Sequence, residues 1–95
     1  MNYIEKYTLL KFYSCLDIAY ITQLAKIHKQ TIKEFQYNLQ QDVCYLANLN
    51  LKQKNWLFQN IPNMTEEEIV LLEKVNHQSI SKIINFLESE VKKNE

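Results

Sequence analysis

Residues 18–47, IAYITQLAKIHKQTIKEFQYNLQQDVCYLA, hold neither glycine nor proline and admit two folds with different functions. Taken as one continuous helix, positions 21, 25, 28, 32, 35, 39, 42, 46 and 49 make a seven-residue repeat. That seam carries His28 and Asp42, two polar residues in nine places. With no interlocking charges beside them it makes a poor coiled coil, although one face of a bundle tolerates it. Taken as two helices bent between Ala25 and Ile27, the stretch gives Ile21, Ala25, Ile27 and Ile32 the apolar spacing of a helix-turn-helix. The second of these helices then begins at His28, which stands in for the usual Ser or Thr cap. Ile32, Phe35 and Leu39, then Val43 and Leu46, anchor it to the core.

The flanking sequence favours the bent form. Ile4, Tyr7 and Leu10 recur at helical spacing between Asn2 and Cys15, and Asp17 is placed to cap the next helix. After Leu49 the pattern changes to Asn48–Leu49–Asn50–Leu51, a polar break at Gln53–Lys54–Asn55, and the aromatic run Trp56–Leu57–Phe58. This alternation predicts a short two-stranded hairpin, turning at Lys54 or Asn55. A loop around Pro62 follows, and Thr65 with Glu66, Glu67 and Glu68 opens a long C-terminal helix. Asn76–Ser79 is a weak point in that helix, which Ser79 can recap. The fold class expected is therefore mainly α: a three-helix helix-turn-helix core with a short two-stranded β wing and a C-terminal helix. Residues 1–64 would be the winged DNA-binding domain, and 65–95 a helical segment for dimerisation or linkage to a further domain.

Composition narrows the function classes. The 95 residues are 46% hydrophobic, enough for a core, and they contain no Gly and one Pro. Phosphate-cradling glycine loops and dinucleotide fingerprints are thereby excluded. Cys15 and Cys44 form no CxxC pair and sit among apolar residues, which predicts free structural thiols. No stretch offers the ~18 uninterrupted apolar residues of a membrane span, so a cytoplasmic protein with no membrane partner is expected. The net charge is zero, but residues 1–62 hold seven lysines against four acids while residues 63–95 hold four against seven. Such asymmetry fits an N-terminal half that meets a polyanion.

The residues DIAYITQLAKIHKQTIKEFQYNL, 17–39, align without a gap to the helix-turn-helix of the Mga-type transcription regulators of Gram-positive bacteria. The stretch LNLKQKNWLFQNIPNMTEEEI, 49–69, resembles the wing of those proteins, followed by a Pro-Asn loop and an acidic helix start. The resemblance spans residues 4–84 and implies a transcription regulator or its DNA-binding module. Thr22 suits the family's small position in the first motif helix. Lys26 departs from the Gly or Asn usual in the turn, where a left-handed non-glycine residue costs roughly 1 to 2 kcal/mol.

Duplex DNA demands cations at the phosphates and hydrogen-bonding side chains at the base edges. Lys26, Lys29, Thr31 and Lys33 are the candidates for phosphate. Gln30 and His28 would face the bases from the first turn of the helix spanning 28–47, since Gln can bond adenine through N6 and N7. Lys52 and Lys54 would grip phosphate from the wing. The chain has no Arg, the commonest reader of guanine, so one copy binds modestly and a homodimer is expected. Catalysis, a metal site, a cofactor and a small-molecule substrate find no support: His28 and His77 are far apart, and Glu66–Glu68 form a helix cap. Trp56 and Phe58 suit core packing better than base stacking. The competing expectation is a four-helix protein-interaction module, of bacteriocin-immunity or antitoxin type, with residues 18–48 as one long helix and no DNA binding.

Overall fold

The computed structural model describes residues 1–93 and is helical throughout, with six α-helices and three short 3-10 turns among the described residues. Two compact units divide the chain, Met1–Val43 and Cys44–Glu95.

The first unit holds α1 (Tyr3–Lys11), α2 (Ile18–Ile27) and nearly all of α3 (Ile32–Cys44). The Asn2 side chain caps α1 by accepting from the Glu5 amide at 2.8 Å. The helix ends at Lys11, short of the expected Cys15, and a 3-10 turn spans Tyr13–Cys15. Asp17 caps α2 as its sequence position suggests, its carboxylate accepting from the Ala19 amide at 2.9 Å. Phe35, Leu39 and Val43 recur at four-residue spacing on α3 and are buried, as are Ile21 and Ala25 on α2. The Tyr3 hydroxyl donates to the Val43 carbonyl at 2.8 Å, and Lys6 pairs with Asp42 at 3.0 Å. These two bonds hold α1 against the last turns of α3.

Residues 18–47 are thus broken, but later than the sequence suggests. Helix α2 runs on through Ala25 and Ile27, and His28 terminates it instead of starting α3. Lys29, not Lys26, takes the left-handed conformation, with φ 57°. The Lys29 amide then donates to the Lys26 carbonyl at 3.0 Å and the Gln30 amide to the Ala25 carbonyl at 2.9 Å. This pair of bonds is a Schellman closure, which satisfies carbonyls that a helix end would otherwise leave bare. Thr31 opens α3 by a reciprocal capping box. Its hydroxyl accepts from the Glu34 amide at 3.1 Å, and the Glu34 carboxylate accepts from the Thr31 amide at 3.1 Å.

The second unit holds α4 (Leu51–Asn60), α5 (Glu66–Asn76) and α6 (Ile80–Lys93), and α4 and α5 both pack on α6. Its core is Leu57, Ile61, Leu72, Ile83 and Leu87, all buried. No strand occurs among the described residues. The expected two-stranded β wing is therefore incorrect, and residues 51–60 are helix α4. Asn50 accounts for the difference. Its side chain accepts from the Gln53 amide at 2.8 Å while the Gln53 side chain accepts from the Asn50 amide at 3.0 Å, a full capping box. A tight hairpin at Lys54–Asn55 would demand positive φ of residues with a Cβ, whereas the helix demands it of none. Leu57 and Ile61, one turn apart, then enter the core together.

The long C-terminal helix is interrupted at the expected place. Helix α5 ends at Asn76, His77 is left-handed with φ 54°, and the Ser79 hydroxyl accepts from the Lys82 amide at 3.4 Å. Glu73 adds a second cap to α6, accepting the Ile80 amide at 2.8 Å. Asn76 itself ties the entry of this unit to α5. Its amide nitrogen donates to the Cys44 and Leu72 carbonyls, both at 2.8 Å, and its oxygen accepts from the Leu46 amide at 3.0 Å.

Both cysteines are free thiols, Cys15 exposed and Cys44 buried. Burial, reinforced by the Glu68 carboxylate, pushes the Cys44 thiol up to about 12, so it stays protonated and inert at neutral pH. An alkylating thiol reagent should modify Cys15 alone in the native protein and both cysteines in denaturant, as read by mass spectrometry. Replacing Asn76 by Ala removes three hydrogen bonds and leaves backbone groups unpaired, and should lower stability in urea melts by about 2 kcal/mol.

Candidate nucleic-acid interface

The turn between α2 and α3 collects six of the eight expected contact residues. Lys26 lies exposed in the last turn of α2, His28 ends that helix, Lys29 makes the left-handed turn, Gln30 and Thr31 lead into α3, and Lys33 lies exposed in its first turn. Among the described residues the side chains of Lys26, Lys29 and Lys33 have no ion-pair or hydrogen-bond partner. Their ammonium groups are free to meet an anion. The only carboxylate within the turn and first helical turn belongs to Glu34, and it is occupied with the Thr31 amide. That backbone bond, with the Thr31 hydroxyl, holds the Glu34 carboxyl below its ordinary value and keeps it ionised against the positive end of α3.

Three expected roles change. His28 lies against the Phe35 ring, with centroids 5.7 Å apart and planes tilted by 30°, at the end of α2 instead of on the first turn of α3. Gln30 is half-buried and precedes the helix cap, while the Thr31 hydroxyl serves the Glu34 amide. None of the three is therefore on the outward face of a helix.

The two lysines assigned to a wing belong to α4 in the second unit. Lys52 is exposed in its first turn. Lys54 is engaged: it pairs with Glu90 at 3.4 Å and lies 5.4 Å from the centre of the Phe86 ring. Its expected contact with phosphate is replaced by a link between α4 and α6.

The outward face of α3 was not anticipated. Because Phe35, Leu39 and Val43 define the inner face, helical geometry turns Lys33, Tyr37 and Gln41 away from it, with Gln40 on the flank; Lys33 and Tyr37 are exposed, and Gln40 and Gln41 are half-buried. Tyr37 is 61% exposed. Tyr37, Gln40 and Gln41 have no partner among the described residues. The signal was present in the sequence, since the same spacing that identified the core row also fixes the opposite one. Displacing the start of the helix to His28 drew attention to the wrong turn.

No protein-family model, characterised protein or solved structure matches the chain. The functional case rests on its own residues.

The left-handed Lys29 gives a test of this turn. Lys29→Gly should raise stability by about 1 kcal/mol in urea melts, because glycine adopts the same φ without a Cβ clash. Thr31→Ala should lower it by about 1 kcal/mol. Because the Glu34 carboxyl is held low, its contribution is present above its ordinary value of 4.5 and lost as pH falls through its folded value. Glu34→Gln should remove that part of the acid dependence, measured as the difference in melting temperature between pH 6 and pH 3.

Proposed function

We propose that this chain binds double-stranded DNA through α2, the Lys29 turn and α3, as a transcription regulator or the DNA-binding module of one. One observation carries it: Lys26, Lys29 and Lys33 lie exposed in and around one turn with no side-chain partner among the described residues, and the single acid beside them is held by the backbone. Phosphate recognition is sequence-independent and gains from counterion release, so three such ammonium groups around one turn are the kind of feature it requires. The likeness of residues 17–39 to the Mga-type helix-turn-helix supports the same assignment. No wing takes part. Three lysines without Arg bind weakly as a single copy, so the active form is a homodimer in which two half-sites add, and the acidic C-terminal helices supply the contact between copies. Its place of action is the cytoplasm.

A second function class, a helical protein-interaction module, draws support from another observation. Ile18, Tyr20 and Ile27 on α2 are all at least half exposed, and Ile27 reaches 73%. Apolar side chains exposed singly are ordinary on protein surfaces, and the most exposed of these, Ile27, lies next to Lys26. The long helix required by the original form of this alternative is not present, because α2 and α3 are separate.

Retardation of duplex DNA in gels run across a salt series separates the two. The wild-type chain should bind with a steep inverse salt dependence. The combined variant Lys26→Ala, Lys29→Gly, Lys33→Ala should make the slope of log affinity against log salt shallower by about 2 to 3, near the value for three lost phosphate contacts. Its helical circular dichroism should be unchanged. Retardation equal to wild type would refute the assignment, and no retardation of any duplex would favour the protein-interaction module.

A further inference from the structure

We propose that the outward face of α3 selects A·T base pairs in the major groove, with Gln40 and Gln41 as the specificity-determining residues and Tyr37 packing on thymine methyl groups. This inference rests on the duplex-DNA assignment above and extends it from phosphate contact to base choice.

The residues that face outward on α3 are unusual in what they lack. The helix carries two acids, Glu34 and Asp42, and both are committed, one to the Thr31 cap and the other to Lys6 at 3.0 Å. Its one cation, Lys33, is in the first turn. Beyond Lys33, the positions that helical phase turns from the core hold an exposed phenol and two half-buried carboxamides, all without partners among the described residues. Gln36 is half-buried as well, but helical phase puts it beside Ile32 and Val43 at the edge of the inner face.

These side chains match one base pair better than the other. A carboxamide presents a donor and an acceptor side by side, which complements adenine N6 and N7, and an aromatic face suits the thymine methyl group. Guanine offers two acceptors, N7 and O6, and is best read by a side chain with two donors. Arg is absent from the chain, and Lys33 is the only cation on this helix. Lys33 to Gln41 covers about 12 Å along the axis at 1.5 Å per residue, the rise of three or four base pairs. A single helix insertion can therefore bring Tyr37, Gln40 and Gln41 to neighbouring base edges. Lys33 remains near the phosphates with Lys26 and Lys29.

Selection of the full chain on duplexes with a randomised core, at a stated salt concentration, tests this directly. Wild-type protein should enrich consecutive A·T pairs. Gln40→Ala with Gln41→Ala should reduce discrimination between A·T and G·C at the selected positions by roughly tenfold while leaving the salt slope unchanged. A second arm uses unaltered protein and replaces adenine by 7-deazaadenine in the selected site. This removes the N7 acceptor while preserving base pairing and the minor groove, and should weaken binding by a similar factor. Enrichment of G·C pairs, an unaltered preference in the double variant, or indifference to 7-deazaadenine would each overturn the inference. Salt-dependent binding to all duplexes alike would overturn it while leaving the DNA assignment standing. Failure to retard any duplex would remove both.

Discussion

Everything on the proposed surface follows from one backbone event, the left-handed turn at Lys29. A helix that stops must dispose of its last carbonyls, and α2 does so by folding the amides of Lys29 and Gln30 back onto Lys26 and Ala25. The next helix must dispose of its first amides, and Thr31 and Glu34 answer one another across that turn. Between them the two devices fill four residues with almost no slack. The result is an opened end of α3 bordered by lysines, where a continuous rod would have buried its polar backbone in its own hydrogen bonds.

The absence of glycine is the wider constraint of which that turn is one instance. A chain that cannot easily reach positive φ must change direction by other means, and this one uses side-chain caps on extended residues. Asn2, Asp17, Asn50 and Thr65 each sit in the extended region and accept an amide from the helix that follows. Three 3-10 turns provide the other bends. Positive φ occurs at only two described residues, Lys29 and His77, both within two residues of a helix end, where the gain in satisfied carbonyls offsets the steric cost. A two-residue hairpin would have needed positive φ with no such return, so the alternating residues 48–51 became a cap and a helix start.

That accounts for which parts of the molecule were legible in the sequence. Asp17, Thr65 and the recapping at Ser79 could be read because each cap is a local interaction, decided by residues two or three apart. The same signature was present twice more, in Thr31-Ile-Lys-Glu34 and in Asn50-Leu-Lys-Gln53, where it was obscured by competing patterns. At Thr31 the apolar spacing of a helix-turn-helix drew the start of α3 back to His28. At Asn50 the short alternation and the Trp56–Phe58 run suggested strands, although Leu57 and Ile61 already had helical spacing. Of the candidate site, the exposure of Lys26, Lys29 and Lys33 was legible because it needs no tertiary information. The pairing of Lys54 with Glu90 was not, because it joins residues 36 apart. The outward row of α3 lay between these cases, since its phase could be fixed only once the inner row had been assigned.

Charge balance on this chain illustrates why formal counts mislead about partners. The net charge is zero, yet an incoming polyanion interacts with groups whose fields are not already answered. In the first unit Glu5, Asp17 and Glu34 sit at helix N-termini, where the peptide dipoles partly neutralise them, and Asp42 is paired with Lys6. Lys26, Lys29 and Lys33 have no such counterpart among the described residues. Within a Debye length of about 8 Å at physiological salt, local balance outweighs the total. The helix caps that compensate for missing glycine therefore have a second effect. By drawing the carboxylates onto backbone amides, they leave the lysines of the turn as the dominant unanswered charge, so the fold itself creates the basic surface that the composition conceals.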